Sequence, residues 1–328
     1  MTAMLGWLLA GPAWVVYRTQ VDVMRQLEDA PDVQVARQAM LKSPEVRGLL
    51  DELAVWPGPA LKRHNDAGHL LHKLVFIADL GLRAGDPGVD PIIERIMTHQ
   101  SAQGPFQVVI NIPTHFGGSG EDDLNWALCD APLVIYALAK LRTAEDARVQ
   151  AAVDYMAGLL RDTGWPCAAA PEMGKFHGPG RRDDPCPYAN LVILKMLAQF
   201  PAWRDTQAAR VGIETLLSLW AECKTRRPYL FAMGTHFARL KAPLIWYDIL
   251  HVLDVLTQFP WALEDARLQE MVALVVEKAD AEGCFTPESV WAAWKEWDFG
   301  QKREPSRWLT LLVQRLLGRM SPPHIAAA

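Results

Sequence analysis

Apolar residues recur along the chain with a helical period, and the helices they predict fall into two kinds. One kind is apolar almost all round: Trp14 to Leu27, Asp66 to Leu82, Trp126 to Leu141, Tyr188 to Phe200, Leu244 to Phe259 and Trp308 to Leu317. The other is amphipathic: Pro31 to Leu53, Val89 to Gln103, Asp146 to Arg161, Asp205 to Cys223 and Asp265 to Ala281. A helix with no polar face has to be buried on every side, whereas an amphipathic one keeps a face in water. Their alternation predicts an inner set of helices wrapped by an outer set. No run alternates in the manner of a half-buried strand.

The pattern also repeats. Asp146-Ala147-Arg148-Val149-Gln150 returns 119 residues later as Asp265-Ala266-Arg267-Leu268-Gln269, and Gly164 returns as Gly283 at the same distance. Gly104 lies 60 residues before Gly164, and Leu138-Ala139-Lys140-Leu141, Leu197-Ala198-Gln199-Phe200 and Leu256-Thr257-Gln258-Phe259 follow one another at 59. A period of this length belongs to stacked helical hairpins that bury one shared core. The terminal units are as apolar as the middle ones, so closure is expected: an all-α (α/α)6 toroid, one domain over residues 1–328, with inner helices around a bowl. An open superhelix is the alternative. Gly104, Gly164 and Gly283 are expected to close outer helices in the left-handed conformation. Two long connections, Val108 to Glu121 and Ala168 to Asp184, are candidate lids or binding loops.

With 50% hydrophobic and 22% charged residues, the chain can bury a large core. A net charge of −5 leaves no electrostatic footprint for nucleic acid. Five cysteines, an odd number, argue against a disulfide framework and for a reducing compartment, so a cytoplasmic location is expected. Met1 to Ala10 is apolar but lacks a basic flank and is followed by Pro12, which reads as a packed helix rather than a signal peptide. No stretch of 18 uncharged apolar residues predicts a membrane span.

Placing the repeats in register equates Asp130, Ala189 and Asp248, with His72 and Trp308 at the flanking positions. One turn earlier stand His69, Ala127, Cys186 and Ile245; one turn later stand Val75, Leu133, Val192 and His251. His69, His72, Asp130, Cys186, Asp248 and His251 therefore share one face of otherwise apolar helices. Buried ionisable groups are costly unless paired, metal-bound or facing water, so this clustering predicts a polar bowl. The plainer reading is that each pairs locally or caps a helix. Cys129, Cys167, Cys186 and Asp248 are ligand types that zinc accepts, and three ligands with an open position make a catalytic site. Against that, there is no CxxC pair, and Cys129 and Cys167 can serve as small buried hydrophobes. Trp126, Tyr188, Trp246, Tyr247 and Trp308 lie near inner-helix starts and, with His69, are candidates to bind substrate. Aromatic faces there stabilise cations by roughly 0.5–2 kcal/mol each.

Several local segments carry a family likeness. Gly164-Trp165-Pro166-Cys167 and Gly283-Cys284-Phe285 look like Gly-Trp/Phe repeat turns, and Asp184-Pro185-Cys186-Pro187-Tyr188 looks like an Asp-x-Cys at an inner-helix start. Pro305-Ser306-Arg307-Trp308-Leu309-Thr310-Leu311, with Tyr247-Asp248-Ile249-Leu250, looks like a group of uncharacterised single-toroid bacterial proteins. On these the chain resembles, over nearly its full length, the terpenoid cyclase and protein prenyltransferase superfamily of α/α toroids. In prenyltransferase β subunits the Asp-x-Cys supplies two zinc ligands and a His in the next inner helix the third. That third position falls near Asp248 here, with His251 one turn on. The resemblance also implies a helical partner subunit for a prenyltransferase, and a second α-domain for a class II cyclase. The Asp-x-Asp-Asp with which those cyclases protonate an alkene is missing, since Glu121-Asp122-Asp123 and Arg182-Asp183-Asp184 do not match it.

The leading expectation is a zinc-dependent enzyme acting on a mainly apolar small molecule in the bowl. Metal-activated water would hydrolyse an ester or phosphoester, with Asp130, His72 or His251 as general acid or base. The alternatives are isoprenoid cyclisation or prenyl transfer, and a non-catalytic binding module. A serine hydrolase is disfavoured because no Gly-x-Ser-x-Gly is present.

Overall fold

A computed structural model describes residues 2–174, 180–181 and 183–320. Among them are thirteen α-helices: α1 (Ala3–Leu9), α2 (Ala13–Arg18), α3 (Pro31–Lys42), α4 (Pro44–Leu53), α5 (Leu70–Leu80), α6 (Asp90–Met97), α7 (Ala131–Leu138), α8 (Ala147–Gly158), α9 (Pro187–Leu197), α10 (Gln207–Ala221), α11 (Ile249–Leu256), α12 (Ala266–Val276) and α13 (Arg307–Met320). The chain divides into two compact units, one of Met1–Met40, Ala238–Leu244 and Asp248–Ala328, the other of Leu41–Phe237 and Ile245–Tyr247. No helix among the described residues is long and apolar enough to cross a membrane.

In the second unit α5, α7 and α9 pack side by side. Every residue of α7 and α9 is buried, as is all of α5 except Lys73. Around them the amphipathic helices pack by their apolar stripes: α4 on α5, α8 on α7 and α9, α10 on α9. The stripe of α4, Val46, Leu49, Leu50 and Leu53, has the three-and-four spacing of one helix face. In the first unit α11, buried throughout, packs on α12 and α13, and α13 packs on α1 and α2. Both units thus keep the alternation of buried and amphipathic helices.

The repeated Asp-Ala-Arg is a helix start. Asp146 and Asp265 are N-caps of α8 and α12, accepting the backbone N–H of Arg148 (2.8 Å) and Arg267 (2.9 Å). The arginine folds back onto the same carboxylate, at 2.7 and 2.8 Å. One cap of this kind is worth about 1 kcal/mol. Gly104, Gly164 and Gly283 do have positive φ, of 115°, 114° and 81°. They are not helix C-caps, however. Each lies several residues past its helix and closes a four-residue turn by donating to the carbonyl three residues back, on Ser101, Arg161 and Asp280.

Other departures from expectation have local causes. The outer helix expected over Pro31 to Leu53 is two helices, because Pro44 occupies the first turn of α4 and cannot continue α3. Val108–Ile110 (β1) pairs antiparallel with Asp123–Asn125 (β2), Val108 opposite Asn125 and Ile110 opposite Asp123. Three-residue strands are too short to show alternation in sequence. The two strands clasp the ends of the connection expected over Val108 to Glu121. Of the other long connection, Lys175, Phe176, His177, Gly178, Pro179 and Arg182 lie outside the described residues. Three of the buried helices also start later than expected: α5 at Leu70, just after His69, and α7 at Ala131 and α11 at Ile249, each just after an aspartate.

Candidate functional site

Where the buried helices start explains most of the polar face. His69, Cys186 and Asp248 are N-caps of α5, α9 and α11: His69 Nδ1 accepts from Leu71 N–H (3.1 Å), Cys186 Sγ from Ala189 N–H (3.5 Å) and Asp248 Oδ1 from His251 N–H (3.0 Å). Ser306, just before α13, accepts from Leu309 N–H in the same way (3.1 Å). The first turn of a helix leaves N–H groups without intrahelical partners, and a buried start needs a side chain to meet them. The repeat register therefore equates Asp130, Cys186 and Asp248; Ala189 is not in the series. Asp130 departs from it. It stands at the N-cap of α7, yet its side chain makes no capping bond.

The Asp130 carboxylate turns to other partners. It is fully buried, and Oδ1 accepts a hydrogen bond from His64 Nδ1 at 2.8 Å. Oδ2 is buried with no hydrogen-bond partner among the described residues. Burial alone would lower the His64 imidazole, but the charge and hydrogen bond of Asp130 outweigh it and hold the ring above its ordinary value. His64 is in turn fixed through its backbone, because His72 Nε2 donates to the His64 carbonyl at 2.8 Å. Burial pushes His72 down to about 4, so it is a neutral donor at physiological pH.

Asp130 and His64 line a cavity of about 260 Å³ in the second unit. Its walls include Leu61, Ile110, Ile112, Phe116, Tyr188, Phe231 and Trp246. Tyr188 and Phe231 flank Trp246, with ring centroids 4.4 and 4.9 Å away, and His64 lies 6.4 Å from Tyr188. Tyr188 is held in place by its hydroxyl, which donates to the Ile245 carbonyl at 2.7 Å. Exposed Lys62 and Arg63 also border the cavity.

Cys129, Cys167 and Cys186 line the same cavity, and their sulfurs all lie within 4.8 Å of one another, Cys129 and Cys186 being 4.0 Å apart. None is in a disulfide. The Cys129 and Cys167 thiols turn toward Cys186 and hold it well below the usual thiol value, with help from the Ala189 N–H; burial opposes this. Cys129 is pushed well above that value by its hydrogen bonding to Cys167 and Cys186.

Of the residues singled out from sequence, Cys129, Cys167, Cys186, Asp130, Tyr188 and Trp246 line this cavity. Trp126 is buried with its ring edge-on to Tyr155, and Tyr247 packs on Phe231 and Phe237; neither is in the lining. His69 is engaged at both nitrogens, by the Leu71 N–H and the Pro59 carbonyl, and His72 supports His64 from behind. Asp248, His251 and Trp308 belong to the first unit, where Asp248 caps α11 and Trp308 N–H meets Asp298 at 3.0 Å. His64, Tyr229 and Phe231 were not anticipated. His64 sits in the polar run Lys62-Arg63-His64-Asn65-Asp66, which has no periodicity to read.

No protein-family model matches the chain, and neither does any curated protein. Among solved structures it is similar to a protein from Actinoplanes, at 14% identity over 94% of this chain and 90% of that one, with a TM-score of 0.44. It is also similar to the type II terpene cyclase MstE from Scytonema, at 12% identity over 93% and 87%, with a TM-score of 0.40.

Proposed function

We propose that the second unit carries the active site of an enzyme that performs carbocation chemistry on an isoprenoid chain, either cyclisation or prenyl transfer. The observation that carries this reading is Asp130: a buried carboxylate, oriented by His64 and released from capping, on the wall of an otherwise largely apolar cavity. The aromatic faces of Tyr188, Trp246 and Phe231 suit a positive charge developing on hydrocarbon, which water would quench. Asp130 moves the proton: its Oδ2 takes one from the carbon next to the cation as a double bond forms. Lys62 and Arg63, at the exposed border, suit an anionic head group on the same substrate. The (α/α)6 ring in one domain, expected from the repeat, belongs to the same proposal. What supports it is the alternation of buried and amphipathic helices within each unit.

Hydrolysis of an ester or phosphoester is the weaker reading, because most of the wall around Asp130 offers hydrocarbon where a hydrolase needs donors for a developing oxyanion. The test is product analysis by gas chromatography and mass spectrometry after incubation with allylic diphosphates and linear polyprenes. Asp130→Asn keeps shape and volume, and it is expected to lower turnover at least about 100-fold with isoprenoid binding retained. Full turnover in that variant, or no binding of any isoprenoid to the parent protein, would end the proposal.

A further inference from the structure

The three cavity-facing thiols carry an inference that does not depend on the isoprenoid reading. We infer that Cys129, Cys167 and Cys186 form a zinc site with three thiolate ligands and an open fourth position toward the cavity.

The residues come from three separate elements. Cys129 immediately precedes the N-cap of α7, Cys186 is the N-cap of α9, and Cys167 lies in the segment between α8 and α9. Backbone hydrogen bonds stitch these segments together on both sides of Cys167. Leu128 N–H donates to the Ala168 carbonyl at 2.9 Å, and Cys186 N–H to the Trp165 carbonyl at 2.8 Å. Buried Asn190 adds a clamp: its amide nitrogen donates to the carbonyls of Trp165 (2.9 Å) and Cys186 (2.8 Å), and its oxygen accepts from Trp165 N–H (3.1 Å). The thiols are thus placed by a backbone frame that does not rely on their own packing.

Their spacing fits a metal. Zinc–sulfur bonds of about 2.3 Å in a tetrahedron set the sulfurs about 3.8 Å apart. The observed 4.0 Å pair, with the trio inside 4.8 Å, needs movements of only a few tenths of an ångström to an ångström, within reach of side-chain rotation. Two other readings fit less well. Small buried hydrophobes have no reason to converge sulfur to sulfur on a cavity wall, and a single disulfide would leave one of the three over.

Capping gives an independent reason to single out Cys186. Thiol sulfur is a weak acceptor, and serine does the same work with an oxygen at Ser306, 120 residues later in the repeat. A cysteine here is poor capping and good ligation. The ligand set also bears on the chemistry. Three thiolates leave a divalent zinc with a net charge of −1, so it acidifies bound water less than a site of neutral imidazoles does. Such a site suits a soft fourth ligand and counts against hydroxide-driven hydrolysis.

The full chain, purified under reducing conditions without chelator, is expected to hold about one zinc per chain by plasma mass spectrometry. Exchange with cobalt(II) should give intense sulfur-to-cobalt charge-transfer bands in the near ultraviolet, together with tetrahedral ligand-field bands. Cys129→Ser, Cys167→Ser and Cys186→Ser should each lose most of the zinc. Cys223→Ser with Cys284→Ser should keep it, and circular dichroism should report each fold. The cobalt spectrum of the unsubstituted protein decides the matter even where a variant fails to fold. Metal-free protein that takes up no cobalt, cobalt bound without charge-transfer bands, or a Cys129–Cys186 disulfide in protein prepared without oxygen would each overturn the inference. None of these outcomes bears on isoprenoid turnover, so the two readings fail separately.

Discussion

Protonating His72 should destabilise the fold behind the site, because it puts a charge on a buried ring. The residue is only 2% exposed, its Nε2 donates to the His64 carbonyl, and burial keeps the ring neutral in the folded chain at physiological pH. Burial is the main cause of its low value, about 4; His69 adds to it, while the His64 carbonyl, Asp130 and Asp66 work the other way. Unfolded, the ring returns to about 6.5. The folded value is depressed, so the unfolded chain binds the extra proton between these limits. The stabilisation is complete above about pH 6.5 and is lost progressively as pH falls toward about 4. At about 1.4 kcal/mol per pH unit, the gap is worth about 3 kcal/mol. Other groups titrate in the same range, so the assay is a difference: urea unfolding, followed by tryptophan fluorescence from pH 8 to pH 4.5, of the parent chain and His72→Gln. Glutamine preserves an N–H donor for the His64 carbonyl without a titrating ring. The parent should lose up to about 1.4 kcal/mol per pH unit more than the variant between pH 6 and 5, and the two should run parallel above pH 7. Parallel curves across the whole range would refute the assignment of His72 as a buried neutral ring.

Two further outcomes follow from packing alone. In the first unit Asp254 is buried between Arg315 (2.9 Å) and Arg319 (3.0 Å); Asp254→Ala takes their shared carboxylate away, leaving Arg315 the more distant Asp22 (3.8 Å) and Arg319 the Asp254 carbonyl and Thr257, and should cost about 3 kcal/mol in urea unfolding, with part recovered by adding Arg315→Met. Gly164 and Gly283 are repeat equivalents with positive φ, but a Cβ at Gly164 would come within 2.6 Å of Asn190 Oδ1 and 2.7 Å of Thr215 Oγ1, whereas at Gly283 it meets nothing within 4 Å. Gly283→Ala should therefore cost about 1 kcal/mol from backbone conformation alone and Gly164→Ala distinctly more. Equal shifts in melting temperature would mean that the Asn190 clamp yields freely.

The buried and amphipathic helices were legible because each carries its burial in its own period, and the repeat was legible because Asp-Ala-Arg is a complete local device of cap and returning arginine. The site was legible only in part, for a reason that His69, Asp130, Cys186 and Asp248 make plain. A polar residue at the start of a buried helix is required by the backbone whatever the protein does, so a row of them across a repeat signals capping before it signals chemistry. Sequence gives the row but not the hydrogen bonds. What separates the two uses is whether the side chain actually caps. Asp248 does; Asp130, in the equivalent place, gives its carboxylate to His64 and a cavity. His64 could not be found this way at all, because its position is fixed by the His72 hydrogen bond to its carbonyl and by contact across the fold, neither of which leaves a spacing in the chain. Cys186 is the intermediate case. It caps, but with an atom that caps badly, where the equivalent positions use the aspartate of Asp248 and the serine of Ser306. A buried helix start occupied by a poor cap is therefore a sharper sign than a charged residue on an apolar helix that the side chain is kept for something besides capping.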